Sequence, residues 1–301
     1  MTALGIDLGG TKIEAALLAD GGHTLWKQRA ATPPGDYGAT LRKVAELVAA
    51  ARAVAGGRVT IGIGTPGTAA TDGHMKNCNS TCLNGRPLQA DLQAALGQPV
   101  ALLNDANCLA LSEATDGAGA GADVVFAAIL GTGTGAGIAV RGHVLTGPNG
   151  LAGEWGHNPL PWADSGTDPA WACYCGQRGC IETLISGPGL ARDHARRHGG
   201  TLDAAAIAAG AAQGDEACSD TLSRHASRLA RALAGVINLL DPEVIVLGGG
   251  LSNLTSLYDD VPRLWGRWVF TGSGRGRDLL TRLVPAKWGD SSGVRGAARL
   301  V

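Results

Sequence analysis

Two distant stretches of the chain share one plan. TALGIDLGGTKIEAALLADGG, beginning at Thr2, reads as an apolar strand from Ala3 to Asp7, a glycine turn, and a second apolar strand from Lys12 to Leu18. VVFAAILGTGTGAGIAVRGHV, beginning at Val124, repeats the plan with a turn at Gly131 to Gly135, and both turns hold a threonine among the glycines. Apolar runs bounded by glycine are strand signals, so the chain reads as an internal duplication whose halves each open on a hairpin. A helix follows from about Ala39 to Ala55, with Leu41, Val44, Leu47 and Val48 on one stripe. Next come the strand VTIGIG and a strand running into a helix at VALLNDANCLALSEA, so each half is a βββαβα-like α/β unit. Later lie an apolar helix around Leu222 to Leu240, a strand EVIVLGGG from Glu243, and a last helix near Ser292. A break before Ala122 divides the chain into residues 1–120, joined by 290–301 on grounds of packing economy, and residues 121–289.

The glycine turns point to phosphate. DLGGTK, Asp7 to Lys12, fits neither the P-loop nor the dinucleotide fingerprint, because both of those run from strand into helix whereas apolar strand residues follow GGTK. A hairpin turn can still present backbone N–H groups and the Thr11 hydroxyl to phosphate oxygens, since glycine lets the backbone come close. A second loop, GTGTG from Gly131, and a third, Gly248 to Gly250 before Ser252, give three loops for one triphosphate. With 25 basic and 26 acidic residues in 301, a formal net charge of −1, nothing favours nucleic acid or an anionic membrane as partner. A small molecule is expected. No apolar run reaches a membrane span and the N-terminus lacks a signal-peptide layout, which reads as cytoplasmic.

LLNDANCLA places Asn104 and Asp105 where an apolar strand meets a helix. Asp105 reads either as the helix N-cap or as a catalytic base that orients a hydroxyl and takes its proton during phosphoryl transfer. Cys173, Cys175 and Cys180 crowd into CYCGQRGC, and one histidine, His157, lies in the run upstream. Together they make a Cys₃His set, a recognised tetrahedral zinc arrangement with no position left for water. The spacing matches no common finger, but C-x-C is not a thioredoxin-like C-x-x-C, and Gly176 and Gly179 permit a tight wrap. Zinc would draw Glu154 and Glu182 into one region, where carboxylates suit sugar hydroxyls.

The duplicated hairpin with D-x-G-G-T and then G-T-G resembles the actin, hexokinase and Hsp70 ATPase superfamily, two α/β domains with an interdomain cleft that clamp ATP and a metal. That resemblance implies Asp7 near Mg²⁺, the turn Gly9, Gly10, Thr11 and Lys12 near the phosphates, Thr132 and Gly133 on the opposite wall, and Gly248, Gly249 and Gly250 near the adenosine. It makes 1–120 with 290–301 a small ATPase-like domain and 121–289 a large one bearing the zinc site. G-E-x-G-H followed by C-x-C-G-x-x-G-C-x-E, with DLGGTK and NDANC, is similar to the ROK family along the whole chain. The family implies that Asn104, Asp105, Glu154, His157 and Glu182 contact a sugar, with His157 also on zinc. Family repressors usually carry an N-terminal winged helix-turn-helix; this chain starts at the hairpin, so a kinase is implied. KNCNSTCLNGRPL around Asn79, GEWGHNPLPW and WGDSSGVRGAA look most like bacterial fructokinases that also accept mannose, with Trp288 standing where histidine is usual. The expectation is therefore ATP-dependent phosphorylation of fructose, and of mannose, at the 6-hydroxyl. N-acetylglucosamine or glucose in the same machinery, or a non-catalytic sugar sensor, are the alternatives, and the family implies a homodimer.

Overall fold

A computed structural model of the chain describes residues 2–271 and 279–301. The first hairpin is β1 (Ala3–Leu8) and β2 (Lys12–Leu18), extended by β3 (Thr24–Ala31). Helix α1 (Tyr37–Ala55) follows, capped by Asp36 accepting from the Ala39 amide at 2.9 Å. Then come β4 (Thr60–Thr65), a short ribbon of β5 (Thr68–Ala69) and β6 (Met75–Lys76), and α2 (Leu88–Leu96). The series ends in β7 (Ala101–Asn104) running directly into α3 (Asp105–Thr115). The sheet order is β3-β2-β1-β4-β7, antiparallel across the hairpin and parallel from β1 to β4 to β7.

The second series opens with β8 (Val124–Leu130), β9 (Thr134–Val140) and β10 (His143–Val144). Helices α4 (Ile181–Ile185), α5 (Gly187–His198), α6 (Ala204–Ala212) and α7 (Glu216–Leu240) precede β11 (Val244–Gly248), α8 (Leu257–Trp265) and β12 (Arg282–Pro285). The sheet order is β10-β9-β8-β11-β12, with β11 parallel to β8 and β12. The two sheets therefore have one topology, as the repeated hairpin implies.

The chain closes with α9 (Ser292–Ala298), which packs on the first sheet. A Cβ on Gly5 or on Gly62 would lie 1.9 Å from the Val294 and Ala297 carbonyls respectively, so glycine on β1 and β4 lets a seven-residue helix lie directly on the strands. Ser292 Oγ donates to Glu113 Oε1 at 2.7 Å, tying α9 to α3. On the other face of the sheet, Leu4, Ile6, Ile13, Leu17, Val44, Leu47, Ile61 and Ile63 are all at most 1% exposed. Each contributes about 1.5–3 kcal/mol when fully buried.

The compact units are 1–121 with 137–152 and 290–301, and 122–136 with 153–289. Assigning 121–289 whole to the second unit is corrected at Gly137–Ala152. There β9 presses on α3, and a Cβ on Gly137 would sit 2.3 Å from the Ala106 carbonyl. Two local expectations also shift. The second turn is Gly131 to Gly133, because Thr134 and Gly135 already belong to β9. Helix α7 begins at Glu216 rather than Leu222, since Asp215 accepts from the Cys218 amide at 2.8 Å and starts the helix in polar sequence.

Candidate active site

In the first unit, Asp7 stands near the end of β1, opposite Glu14 on β2. Burial pushes its carboxyl up to about 7, with the charges of Asp105 and Glu14 adding to the rise. Burial works against ionised Glu14 too, but hydrogen bonds from Lys27, Arg29 and Ser291 outweigh it and hold Glu14 below its usual value. Lys27 and Arg29 pair with Glu14, so the negative charge suited to a cation here comes from Asp7 and Asp105. The hairpin turn is closed by the Gly9 amide donating to the Lys12 carbonyl at 3.0 Å, leaving Gly10, Thr11 and Lys12 exposed. Lys12 Nζ pairs with Asp290 Oδ2 at 3.2 Å, an exposed contact that a phosphate can displace. Asn79 is exposed beside this turn: a Cβ on Gly10 would lie 3.2 Å from Ser80 Oγ and 4.0 Å from Asn79 Oδ1.

The helix-cap reading of Asp105 gives way to a different cap. Asn104 is the N-cap, its Oδ1 accepting from the Ala106 amide at 2.9 Å and the Asn107 amide at 3.3 Å, while its Nδ2 donates to the Gly67 carbonyl at 3.2 Å. Asp105 is the first helical residue, half-buried, with Oδ1 accepting from the Ala106 amide at 2.8 Å. Asn104 thus pins the turn after β4 to the start of α3 and fixes the direction in which Asp105 leaves the helix. Beside it opens a cavity of about 450 Å³ bounded by Thr65, Thr68, Met75, Leu102, Asn104 and Asn107, within the roughly 300–1,000 Å³ range of small-molecule sites.

In the second unit the Gly131–Gly133 turn is held from behind. The Gly131 amide donates to the Gly133 carbonyl at 2.9 Å, the Gly187 amide to the Gly131 carbonyl at 2.8 Å, and the Thr134 amide to Glu182 Oε2 at 2.8 Å. Glu182, on α4, therefore braces the loop by one of its oxygens. Strand β11 ends at Gly248, and Gly249 follows with φ +81°, where a Cβ would lie 2.5 Å from the Leu130 carbonyl. Only glycine brings this turn so close to the end of β8. Thr132, Gly250, Pro188, Ala191, Ala204 and Leu254 border a cavity of about 760 Å³ whose walls are mostly apolar, a shape that suits a flat heterocycle.

The Cys₃His set converges. The donor atoms of His157, Cys173, Cys175 and Cys180 lie within 4.8 Å of one another, and none of the seven cysteines is in a disulfide. Cys175 and Cys180 sulfurs are 3.6 Å apart, and Cys173 Sγ is 3.5 Å from His157 Nδ1. A tetrahedral zinc with bonds of about 2.3 Å to sulfur and about 2.05 Å to nitrogen requires S···S edges of about 3.8 Å and S···N edges of about 3.6 Å. The donor set fits that ion. A tight hairpin carries it: the Cys173 amide donates to the Gln177 carbonyl and the Gly176 amide to the Cys173 carbonyl. Nδ1 of His157 faces the sulfurs, while Nε2 is 3.1 Å from the Tyr174 hydroxyl. Glu154 sits at the start of the 3₁₀ turn Trp155–His157, three residues before the histidine.

The predicted residues therefore gather into two sets: Asp7, Gly9 to Lys12, Asn79, Asn104 and Asp105 in the first unit, and Thr132, Gly133, Glu154, His157, Glu182 and Gly248 to Gly250 in the second. Asn107, Glu14 and Asp290 were not foreseen. The N-D-A-N spacing, which sets Asn107 one turn from Asn104 on the same face, was the available signal for the first. Trp288 is half-buried with Lys287 Nζ 4.9 Å from its ring centre, and nothing in the structure explains its choice over histidine.

A profile of the ROK family matches residues 3–301. The chain belongs to the ROK family. Among its relatives, N-acetyl-D-glucosamine kinase of Salmonella paratyphi A is 39% identical over 302 residues, covering 98% of each chain. The enzyme of the same name from Photobacterium profundum is 38% identical with the same coverage. Among solved structures, a ROK hexokinase from Thermus thermophilus superposes with a TM-score of 0.85 at 32% identity, over 99% of this chain and 97% of its own. A ROK family glucokinase from Streptomyces griseus, in complex with glucose and AMPPNP, gives 0.82 at 29% identity over 100% and 99%. The fold is that of the ROK sugar kinases, the duplicated α/β ATPase architecture shared with actin and hexokinase. The curated relatives carry the name of an N-acetylglucosamine kinase, where the sequence around Asn79 had suggested a fructokinase.

Proposed function

We propose that this chain is an ATP-dependent sugar kinase that phosphorylates the 6-hydroxyl of N-acetyl-D-glucosamine. The observation that carries the proposal is near full-length identity of 38–39% to N-acetyl-D-glucosamine kinases, combined with the Asp105 carboxylate at the start of α3, directly after the N-cap Asn104. Fructose and mannose, the first reading from sequence, have less support. Asp105 orients the hydroxyl and accepts its proton as the oxygen bonds to the γ-phosphorus and the bond to the β-phosphate oxygen breaks, releasing ADP. The turn Gly9, Gly10, Thr11 and Lys12, with Thr132 and Gly133, supplies N–H, hydroxyl and ammonium groups for phosphate oxygens, and Gly248 to Gly250 border the nucleoside. Bound Mg²⁺ supplies charge neutralisation at the phosphates, and Asp7 would hold it or its water.

Zinc on His157, Cys173, Cys175 and Cys180 is structural in this proposal, holding Glu154 and Glu182 toward the sugar hydroxyls with the His157 ring between them in sequence. Asn79 and Asn104 complete the proposed sugar set, with Asn104 having one amide hydrogen beyond those spent on backbone. The test is ADP release with Mg²⁺-ATP against N-acetylglucosamine, glucose, mannose and fructose. Highest kcat/KM on N-acetylglucosamine is expected. Fructose as the best substrate would return the assignment to the first reading, and turnover of no sugar would favour a sensor. A ROK transcriptional regulator described as a homologue of the E. coli MLC protein superposes with a TM-score of 0.81 at 25% identity, covering 76% of that chain.

A further inference from the structure

Fifteen residues separate His157 from Cys173, and they run mostly through turns and bends. From Pro161 to Ala172 the side chains are half-buried or exposed, but Asp168 turns inward and is 6% exposed. Two arginines of α7 meet it there. Arg231 grips the carboxylate with both ends of its fork, Nη1 on Oδ2 at 2.6 Å and Nη2 on Oδ1 at 3.1 Å, and Nη1 also donates to the Trp162 carbonyl at 2.8 Å. Arg228 donates from Nε to Asp168 Oδ1 at 2.9 Å and from Nη2 to the Thr167 carbonyl at 2.6 Å. The Asp164 amide adds a further bond to Asp168 Oδ2 at 2.9 Å. Bidentate pairs of this kind fix direction as well as distance, whereas apolar packing would hold a loop at less cost in desolvation and with less geometric restraint.

The fixed point lies five residues before Cys173. Between them the Trp171 ring lies under the Arg192 guanidinium of α5, 4.2 Å from its centre, and the Trp171 carbonyl accepts from the Gly179 amide at 2.8 Å. On the histidine side, the Asn158 carbonyl accepts from the Ile181 amide at 2.9 Å and the Leu160 amide donates to the Gly179 carbonyl at 3.1 Å. Both arms of the knuckle are therefore stitched to its cysteine end, and the middle of the long connection is held from α7. Gathering ligands across a flexible loop costs entropy that grows with loop length, and ligands already held in place remove part of that cost from metal binding.

From this grip and its place in the chain between two ligands, we propose that Asp168, held by Arg231 and Arg228, is a positioning residue that keeps Cys173 within reach of His157, so that zinc affinity is set in part from α7. This rests on the Cys₃His reading above and deepens it from a ligand set to the residues that assemble it. A neighbouring ion pair provides the comparison. Arg224 is also on α7 and also reaches a buried carboxylate, Asp193, at 2.8 Å, but its bonds go to Asp193, Asp220 and Thr221, which stand on α5 and α7. It braces the helices without holding the loop.

The experiment measures zinc dissociation constants by competition with a chromophoric chelator in the wild-type chain, Arg231→Met and Arg224→Met, with urea midpoints beside them. Arg231→Met is expected to weaken zinc about 10-fold or more, on the scale of losing an outer support of a metal site. Arg224→Met should stay within about 2-fold of wild type, as a site with no shared partner does, although both substitutions lower the midpoint. Asp168→Asn, which keeps the side-chain shape and removes the charge, is the second loop variant and should weaken zinc in the same direction if Arg231→Met does not fold. Equal weakening in Arg231→Met and Arg224→Met would mean a merely structural network and overturns the proposal, as does unchanged zinc affinity in a folded loop variant, and both leave the zinc site itself standing. A wild-type chain that binds no zinc overturns the Cys₃His reading and this inference with it.

Discussion

Replacing Asp7 by asparagine is expected to stabilise the protein freed of nucleotide and metal, and to do so more at alkaline than at acid pH. Burial, with Asp105 and Glu14 adding to it, raises the Asp7 carboxyl from 3.8 to about 7. The folded state therefore binds the proton more tightly than the unfolded chain, and the stability this gives is present below pH 3.8 and lost as pH rises through about 7. Integrating between those values, the ionised carboxylate costs folding about 4 kcal/mol near pH 8 and about 2 kcal/mol near pH 5, ceilings that water entering the site lowers. The amide of the Asp7→Asn variant carries no charge and escapes that cost at every pH. Urea unfolding in chelator at the two pH values measures the difference directly. Asp7→Asn should gain on the wild type at pH 8, by about 2 kcal/mol more than at pH 5. A variant less stable than wild type at both values, or an advantage independent of pH, would refute the claim that carboxylate crowding strains this site. Added Mg²⁺-ATP should narrow the gap by stabilising the wild type alone.

Asp105→Asn should lower kcat by about 10²–10⁴-fold, on the scale of general-base catalysis, while ATP binding measured by calorimetry stays within a few-fold; retained turnover would leave Asp105 as a helix residue only. Protein reconstituted without chelator should carry about one zinc per chain by elemental analysis, and Cys180→Ser should lose it together with sugar binding. Since burial pushes the Cys180 thiol up to about 12, loading must expel protons, so zinc should leave more readily as pH falls; metal content below half an equivalent at neutral pH would sink the assignment. Arg228→Met should destabilise the second unit by about 1.5–3 kcal/mol, because it removes the cation that bridges two buried carboxylates while Arg231 stays on Asp168 and Arg224 on Asp193. Arg228 is 1% exposed and reaches Asp168 at 2.9 Å and Asp193 at 3.0 Å. A denaturation midpoint within error of wild type would show that Arg231 and Arg224 alone suffice for those carboxylates.

What the sequence determined follows from local rules. The duplicated hairpins were legible because strand alternation and glycine turns are written over a few residues, and the Cys₃His set because C-x-C with one histidine, His157, in the run just before it leaves few other ways nearby to complete four ligands. Strand register, the packing of α9 on Gly5 and Gly62, and the transfer of Gly137–Ala152 to the first unit are contacts between residues far apart in the chain, and no local pattern encodes them. The same division separates Asn104 from Asn107. Both stand in N-D-A-N with identical side chains, yet Asn104 has its oxygen and one amide hydrogen bonded to backbone, whereas the Asn107 oxygen is enclosed without a partner. A hydrogen-bonding side chain is a functional group only to the extent that the fold leaves its capacity unspent, and that remainder is fixed by which backbone groups tertiary packing brings within reach.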